Sequence, residues 1–285
     1  MKLAVFADIH SNNLVFKKAY EDTKKMAIDK YIFLGDYVTD GIDSNKVLEI
    51  VKNSDGYVIR GNRDDAILSY HNGQNQHWND YIQWQNMVYG YQVLNTENIA
   101  YLKTLPFFQT IKVANKKIMM FHASPYNMTE KILKESYDVF DKLIRDFNCD
   151  IYLFGHSHRS FVAFYKKCYF ICPGSIGLPC EDYPFKYGIL TIEKGKISYE
   201  IIKVYYNYQE LYDYYTKSDY YQKNTPWCRL ILTTLKDGRD HFEYFINYSK
   251  KVAQKNNIDT SKGIPDNLFL QTLDDYLQKQ NYYIN

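Results

Sequence analysis

The sequence predicts an α/β fold, and three observations support this prediction. Short β-prone apolar runs alternate with segments of helical spacing over residues 2–61, in the order β-α-β-α-β. Two pairs of apolar runs separated by short turns follow further along the chain and predict β-hairpins. The chain has 285 residues, of which 46% are hydrophobic, so it can bury a large core. The alternation of β-prone and helical segments over residues 2–61 favours a parallel or mostly parallel sheet covered by helices.

The first five elements form the βαβαβ unit. KLAVFA (2–7), KYIFLG (30–35) and GYVIRG (56–61) are β-prone apolar runs and predict three strands. SNNLVFKKAYEDTKKMA (11–27) and SNKVLEIVKN (44–53) carry apolar residues at helical spacing and predict the two connecting helices. Connections of this length are typical of parallel strands with crossover helices.

Residues 64–104 predict a helical insertion that is rich in aromatic residues. Within it, TENIAYLKTLP (96–106) begins after a capping residue and ends at a proline, as a short helix does. Trp78 and Trp84 lie in this segment and could stack on a nucleobase, although we expect most of its aromatic side chains in the core.

Strands return after the insertion. FQTIKVANKKIMMFHA (108–123) predicts two strands around a turn, a helix is expected near 134–147, and DIYLFG (150–155) predicts a buried strand. Residues 161–174 and 187–206 each predict a hairpin, the second turning at a Lys-Gly pair.

The character of the chain changes beyond residue 206. The remaining segments show helical apolar spacing and contain no recognisable chemical motif. We expect residues 207–285 to form a C-terminal helical extension. It could cover the site, form a homodimer contact or bind another partner.

Composition and charge exclude some classes of function. The net charge of +2 and the pI near 8.0 provide no broad basic surface for nucleic acid. We expect no signal peptide and no membrane span, because no apolar stretch approaches the required length. The five cysteines are odd in number and form no CxxC pair, which favours a reduced, cytoplasmic protein.

Side chains of metal-ligand type follow five of the predicted strands. In open α/β sheets the ligand crevice lies outside the carboxyl ends of the strands, so these side chains are expected to converge. GHSH at 155–158 places two imidazoles on one side of an extended segment. Each residue alone would more often be a cap, a turn residue or a packing histidine, but the whole set points to a metal site. The set consists of Asp8, His10, Asp36, Asn62, His122, His156 and His158.

Three other histidines have no such context. His71, His77 and His241 do not follow predicted strands, and we expect them at the surface or in packing contacts.

The order of these motifs resembles the calcineurin-like metallophosphoesterase family. That family carries D-x-H, GD, GN-x-[DE], H and GH-x-H in this order, and the chain matches with DIH, GDYVTDG, GNRD, FHASP and GHSH. DIHSN and PGSIGLP look closest to the small bacterial and archaeal phosphodiesterase branch, part of which hydrolyses diadenosine tetraphosphate. The resemblance covers residues 1–206 and implies a four-layer αββα sandwich of two mixed β-sheets flanked by helices.

The resemblance also implies a dinuclear metal centre. Asp8, His10, Asp36 and His158 would hold the first ion, and Asp36, Asn62, His122 and His156 the second. Asp36 would bridge the two ions, because a carboxylate has two oxygens. The mixed nitrogen and oxygen ligands suit transition metals, and we expect Fe and Mn, with Zn or Ni as alternatives.

The implied reaction is attack on phosphorus by a hydroxide held between the two ions. Asn62, Arg63 and Asp64 are the candidate catalytic residues, with Asp64 steadying Arg63 or the Asn62 loop. Relatives that resemble protein phosphatases carry histidine after GN, whereas this chain has Arg63, which cannot deliver a proton at neutral pH. Arg63 and Arg159 are candidates for binding substrate phosphate. Cys172 stands before PGS where the family often has Asn, and we expect a small buried residue there.

The sequence therefore predicts a metal-dependent phosphoesterase. Its expected substrate is a small phosphodiester or a nucleotide polyphosphate, because Arg63 favours leaving groups that need little protonation. A protein serine/threonine phosphatase and a non-catalytic binding scaffold on the same fold are the alternatives.

Overall fold

The computed structural model describes residues 1–180 and 183–282 of the chain. Two mixed sheets of five strands each form the centre of the protein. The strands are β1 (Lys2–Phe6), β2 (Lys30–Phe33), β3 (Gly56–Val58), β4 (Phe108–Val113), β5 (Lys116–Phe121), β6 (Ile151–Leu153), β7 (Phe161–Tyr165), β8 (Cys168–Cys172), β9 (Phe185–Glu193) and β10 (Lys196–Val204).

Helices surround the sheets and form most of the chain after β10. They are α1 (Asn13–Thr23), α2 (Ser44–Asn53), α3 (Asn62–His71), α4 (Gln85–Gln92), α5 (Thr96–Thr104), α6 (Tyr137–Phe147), α7 (Tyr208–Thr216), α8 (Asp219–Lys223), α9 (Thr225–Asp237), α10 (His241–Lys255) and α11 (Asp266–Tyr282). Two short 3-10 turns, Gln76–Asp80 and Ile82–Trp84, precede α4. None of the helices in the described residues is long and apolar enough to cross a lipid bilayer.

The two sheets have related strand orders. In the first sheet the order is β10-β9-β1-β2-β3, with β1, β2 and β3 parallel and β9 antiparallel to β1. In the second sheet the order is β4-β5-β6-β8-β7, with β5, β6 and β8 parallel. In the first sheet the β9–β10 hairpin forms one edge and the parallel strand β3 the other, whereas in the second sheet the three parallel strands lie between the edge strands β4 and β7.

The alternation of side chains along β1 shows how the layers pack. Leu3 and Val5 pack in one buried cluster with strand residues of the second sheet, including Ile118 of β5. Ala4 and Phe6 belong to another cluster with Phe16 of α1. Successive strand residues point to opposite faces, so one face of the sheet contacts the other sheet and the opposite face contacts helices. The predicted four-layer αββα sandwich is confirmed.

Some elements are shorter than predicted, and the difference is informative. The predicted strand at 56–61 ends at Val58, and the one at 150–155 ends at Leu153. The residues that follow lead to Asn62, the first residue of α3, and to the loop that carries His156. The predicted helix at 11–27 begins only at Asn13, because Asn12 is its N-cap and accepts a hydrogen bond from Val15 N at 3.3 Å.

The helices after β10 pack closely against the rest of the protein. Leu211 and Tyr215 of α7 and Ile231 and Leu235 of α9 are fully buried in the same cluster as Phe6. Helices α10 and α11 form a further cluster with Trp227 of α9, against which Ile82 of the insertion packs. The insertion and the C-terminal helices are therefore in direct contact.

Candidate metal centre

The first sheet brings three of the candidate ligands to one edge. Asp8 and His10 follow β1, and Asp36 follows β2, which runs parallel to β1 with Phe6 beside Phe33. Backbone hydrogen bonds then hold the two loops together, because the amides of residues 8 and 9 donate to the carbonyls of Gly35 and Asp36 at 3.1 and 2.9 Å. These side chains therefore lie at neighbouring strand ends, as predicted.

The second sheet contributes His122, His156 and His158. His122 follows β5 and His156 follows β6, and Gly155 N donates to the His122 carbonyl at 2.8 Å. The two sheets meet here, because His156 N donates to Asp8 Oδ2 at 3.0 Å. All seven candidate ligands consequently lie in one region, although they come from both sheets.

Asp8, His10 and His158 form the first group of ligand atoms. His158 Nε2 lies 3.3 Å from Asp8 Oδ1 and 3.1 Å from His10 Nε2. His158 Nδ1 lies 2.6 Å from the Leu178 carbonyl, which can only accept, so this nitrogen carries the proton and donates. In the neutral ring Nε2 then presents a lone pair toward His10 and Asp8. Converging lone pairs of this kind are stabilised by a cation.

Asp36, His122 and His156 form the second group, with Asn62 beside it. His122 Nε2 lies 3.0 Å from Asn62 Oδ1 and 3.3 Å from Asp36 Oδ2. His122 Nδ1 donates to the Leu34 carbonyl at 2.7 Å, which again turns Nε2 toward the group. The His156 ring lies 5.3 Å from the His122 ring between centroids.

Asp36 lies between the two groups. Its Oδ2 is 3.3 Å from His122 Nε2 in the second group and 3.9 Å from His10 Nε2 in the first. Its Oδ1 accepts a hydrogen bond from Arg63 N at 2.8 Å. The predicted bridging role of Asp36 rested on its two carboxylate oxygens, and in the structure one of them, Oδ2, faces both groups.

The backbone at these positions is strained. Asp8, His10, Asp36, His156 and His158 all have φ between 47° and 64°, in the left-handed region that side chains other than glycine rarely adopt. Residues in this region persist only where the surrounding structure holds them, and they cluster at functional sites. Five of the seven candidate ligands share this conformation, which supports a functional role for the group.

Gly61 allows the Asn62 loop to approach Asp36 closely. A Cβ atom at this position would lie 2.1 Å from Asp36 Oδ1 and 2.4 Å from Asp36 N. No side chain fits there without moving the carboxylate, so the glycine of the GN motif is required by close approach.

The pKa shifts show that acids and imidazoles compensate each other in this buried region. Burial alone would raise the pKa of Asp8, but His158 and His122 lower it below its ordinary value. Burial acts against the charge of His122, yet Asp36 and Asp8 raise the pKa of this imidazole to about 9. Burial and the nearby His122 lower the pKa of His156 to about 4. Metal ions would supply the positive charge that protons otherwise provide here, and the nitrogen and oxygen donors fit transition metals.

Arg63 lies at the edge of the two groups, as expected, but its partner is Asp40. Arg63 Nε lies 3.5 Å from Asp40 Oδ2, and Asn86 Nδ2 donates to Asp40 Oδ1 at 2.6 Å. Asp40 Oδ2 also lies 3.4 Å from His10 Nδ1. Burial would raise the pKa of Asp40, but the Arg63 guanidinium and His10 hold it well below its usual range. Asp40 thus connects a candidate ligand to the candidate substrate-binding arginine.

The hydrogen bonds of the Asp64 side chain are to backbone amides and not to the Arg63 side chain. Its buried carboxylate accepts hydrogen bonds from Asp36 N at 2.9 Å, Tyr37 N at 3.0 Å and Gly61 N at 2.8 Å. Burial and the nearby Asp36 charge raise the pKa of Asp64 to about 7. Of the two roles that the sequence allowed for Asp64, the contacts match the steadying of the Asn62 loop.

Five of the seven candidate ligands line a cleft of about 230 Å³, which we call the metal cleft, whereas Asp8 and His122 are fully buried. Arg63 lines this cleft, whereas Arg159 is exposed and does not line it. The metal cleft is also lined by residues that were not predicted from the sequence. They are Asp40, Lys131, Ser157, Leu178, Cys180, Asp240, Phe242 and Glu243.

Most of these unselected residues carried no local signal. Asp40 is the exception, because it lies in the GDYVTDG motif, four residues after the candidate ligand Asp36. This second acid could have been selected from the sequence. Phe242 and Glu243 come from α10, far along the chain, and Glu243 pairs with Lys131 across the cleft. Only the folded chain brings this helix to the site.

His241 and Cys172 lie in buried packing environments, as expected. His241 is buried, with Nδ1 2.8 Å from the Tyr276 hydroxyl oxygen and Nε2 2.9 Å from Asp237 Oδ2. It has the expected packing role. Cys172 is fully buried, and burial raises the pKa of its thiol to about 12. All five cysteines are free.

The two tryptophans of the insertion differ in burial. Trp78 is largely buried and stacks on Tyr70 and Trp84, at centroid distances of 5.6 Å in both cases. Trp84 is only partly buried.

Known proteins resemble the chain in sequence and in fold. The sequence model of the calcineurin-like phosphoesterase superfamily domain matches residues 1–195. An uncharacterised protein of Methanocaldococcus jannaschii is 26% identical over 241 residues, which cover 76% of this chain and 92% of that protein.

Two crystal structures share the fold. A hypothetical protein from Pyrococcus horikoshii OT3 superposes with a TM-score of 0.67 and 22% identity, covering 83% of this chain and 98% of that one. A metallophosphoesterase from Sphaerobacter thermophilus superposes with a TM-score of 0.62 and 18% identity, covering 84% and 99%. At these identities the two structures show agreement in fold.

Proposed function

Since this chain belongs to the calcineurin-like phosphoesterase superfamily and is a metal-dependent phosphoesterase, we propose that it uses two metal ions to hydrolyse a small phosphodiester or a nucleotide polyphosphate. Diadenosine tetraphosphate is the type of polyphosphate that the sequence resemblance suggests. The observation that carries the proposal is the position of Asp36 Oδ2 between two groups of ligand atoms, 3.3 Å from His122 Nε2 and 3.9 Å from His10 Nε2.

The chain's own residues would hold the metals and place the substrate. Asp8, His10 and His158 would bind one ion, Asn62, His122 and His156 the other, and Asp36 both, with Fe and Mn as the proposed pair. When bound, such ions lower the pKa of a water molecule and neutralise phosphate oxygens. The strained backbone at five of these residues and the carbonyl groups of Leu34 and Leu178 fix the ligand directions beforehand.

The size of the metal cleft supports a small substrate. The cleft measures about 230 Å³, and Asp240, Phe242 and Glu243 of α10 form part of its wall. A small molecule can place its phosphate in a cleft of this size, whereas a phosphoprotein must present its phosphorylated segment, with backbone on both sides, next to α10. The arrangement therefore favours a small molecule over the protein serine/threonine phosphatase alternative.

Arg63 would bind a phosphate oxygen rather than protonate the leaving group. Asp40 raises the pKa of its guanidinium, so the side chain stays charged at any physiological pH. The side chain is 34% exposed and lines the metal cleft, so its nitrogen atoms can reach a ligand there. Without a proton donor at this position, leaving groups of low pKa are favoured.

A series of phosphodiesters with leaving groups of different pKa tests this proposal. We expect kcat/KM to fall steadily as the pKa of the leaving group rises, and phosphoserine peptides to be poor substrates. Arg63→Ala is expected to lower kcat/KM about a hundredfold, the usual effect of losing one donor to a charged transition state. Arg63→Lys keeps the positive charge but cannot donate two parallel hydrogen bonds to a phosphate, so a smaller decrease in kcat/KM is expected.

The exposed Arg239 provides the matched control. Its side chain is 66% exposed, and Arg239→Ala is expected to leave kcat/KM unchanged. Rates that are indifferent to leaving-group pKa, or rapid turnover of phosphoserine peptides, would contradict the role assigned to Arg63. Absence of any phosphoesterase activity in metal-loaded protein would instead favour the binding-scaffold alternative.

A further inference from the structure

A second cleft of about 350 Å³ lies directly beside the metal cleft. The two clefts share three residues, Arg63, Phe242 and Glu243, which form the wall between them. Arg63 is the candidate phosphate-binding residue, so a molecule with its phosphate at the metals could extend past this wall into the second cleft.

Aromatic and aliphatic side chains form much of the second cleft. Trp84, Trp227, Phe242 and Ile246 line it. Phe242 stacks on Trp227 with 5.5 Å between ring centroids and 24° between ring planes. This surface suits a flat, apolar group.

The two tryptophans have defined positions. Trp227 Nε1 donates to the Gln83 carbonyl at 2.9 Å, and Trp84 Nε1 donates to the Lys262 carbonyl at 3.3 Å. Both indole N–H groups are thus satisfied by backbone, and the rings are held without a ligand. A rigid aromatic surface loses little conformational entropy when a ligand stacks on it.

Polar groups surround this aromatic surface. Asn86 lines the cleft and is almost fully buried, and its Nδ2 donates to Asp40 Oδ1 at 2.6 Å. Its Oδ1 is buried and has no hydrogen-bond partner within the described part of the chain. Asn247, Lys250 and Lys262 also line the cleft. The cleft therefore combines aromatic faces with amide and ammonium groups.

We propose that the second cleft binds the nucleobase of the substrate while the phosphate lies at the metal centre. This inference rests on the proposed phosphoesterase function and narrows its substrate to a nucleotide. A nucleobase has two apolar faces and a polar edge, which match stacking on aromatic rings and hydrogen bonding to amides. A volume of about 350 Å³ lies within the range of small-molecule sites.

The second cleft exists only because two distant parts of the chain meet. Gln83, Trp84 and Asn86 come from the insertion, whereas Trp227 comes from α9 and Phe242 and Ile246 from α10. Residues 260–263, between α10 and α11, complete the wall. The insertion and the C-terminal helices thus provide the base-binding part of the site, and the sheets provide the metal ligands.

Binding of adenosine 5′-monophosphate and ribose 5-phosphate to the full-length protein tests this inference. The two compounds share the phosphate and the sugar and differ in the base. Isothermal titration calorimetry is expected to show about tenfold tighter binding of the nucleotide, the usual contribution of one stacked base. Assays of released inorganic phosphate in the same samples separate turnover from binding.

Two variants test whether the tighter binding of the nucleotide depends on the second cleft. Trp84→Ala removes one aromatic face, and Asn247→Trp fills the cleft from an exposed position on α10, where it does not disturb the core. In both variants the nucleotide is expected to bind no better than ribose 5-phosphate. Tyr244→Ala is the matched control, because Tyr244 lies on the same helix, is 61% exposed and lines neither cleft. It should retain the preference.

The outcomes separate this inference from the proposed function. Equal affinity of the wild-type protein for both compounds, or an unchanged preference in both variants, would overturn base binding in the second cleft, even if the protein hydrolyses phosphodiesters. A preference that depends on Trp84 would support the cleft assignment, even if no phosphodiester tested is hydrolysed.

Discussion

Replacing Asp36 by asparagine is expected to lower kcat about a thousandfold, because bound metals contribute several kcal/mol of transition-state stabilisation. Asn keeps the shape of the side chain and an oxygen that can accept from Arg63 N. It replaces Oδ2, the oxygen that faces His122 and His10, with an amide nitrogen that cannot bind a cation. Steady-state kinetics of Asp36→Asn, with metal content measured on the same sample, give the result.

Asp55→Asn is the matched control for this substitution. The Asp55 side chain is 75% exposed and pairs with Lys30 at the surface, so the change should leave both activity and metal content intact. Circular dichroism of both variants checks that the fold is retained. If Asp36→Asn kept both its metal and its activity, Asp36 could not be the shared ligand.

Removal of metal is expected to destabilise the protein strongly. Asp8, Asp36 and His122 are almost fully buried, and a cation that binds the folded state alone stabilises it. At a free Mn²⁺ concentration a thousand times the dissociation constant the gain is about 4 kcal/mol, which corresponds to about 10 °C in Tm for a chain of this size. Thermal unfolding of chelator-treated protein, with and without added Mn²⁺, measures this difference.

The Asp36→Asn variant shows whether this stabilisation comes from the candidate centre. Mn²⁺ should raise its Tm much less than that of the wild-type protein. An equal rise in both proteins would mean that the ion binds elsewhere on the chain.

Local sequence patterns were sufficient to predict the βαβαβ unit and to select the seven candidate ligands, whereas the sandwich of two mixed sheets was implied by the family resemblance. The strands that precede the candidate ligands are short apolar runs, and each candidate ligand lies in the segment that follows one of them. The rule that parallel strands present their carboxyl ends at one edge then brings Asp8 and Asp36 together without knowledge of the contacts. The continuous apolar run of β1 similarly predicts that its residues are buried on both faces of the sheet.

Contacts between distant elements could not be predicted in this way. The pairing of Arg63 with Asp40 depends on the conformation of the loop after β2, where Thr39 and Asp40 adopt positive φ. The place of Phe242 depends on how α10 packs, and an amphipathic helix pattern does not specify its partner. Arg159 follows GHSH directly, yet its side chain is exposed and does not line the metal cleft.

The structure also gives a physical role to the two segments outside the central sheets. The insertion and the C-terminal helices pack on each other through Trp227 and Ile82, and together they enclose the second cleft beside the metals. Under the proposed base binding in the second cleft, variation in these segments would change the substrate without changing the candidate metal ligands.

The two-metal centre is tested most directly by crystallography of the protein loaded with Mn²⁺, using anomalous scattering. We expect two peaks about 3.5–4 Å apart, one on each side of Asp36 Oδ2. Asp8, His10 and His158 should contact one peak, and Asn62, His122 and His156 the other. A single peak, or none, with these side chains in the positions described would contradict the two-metal centre.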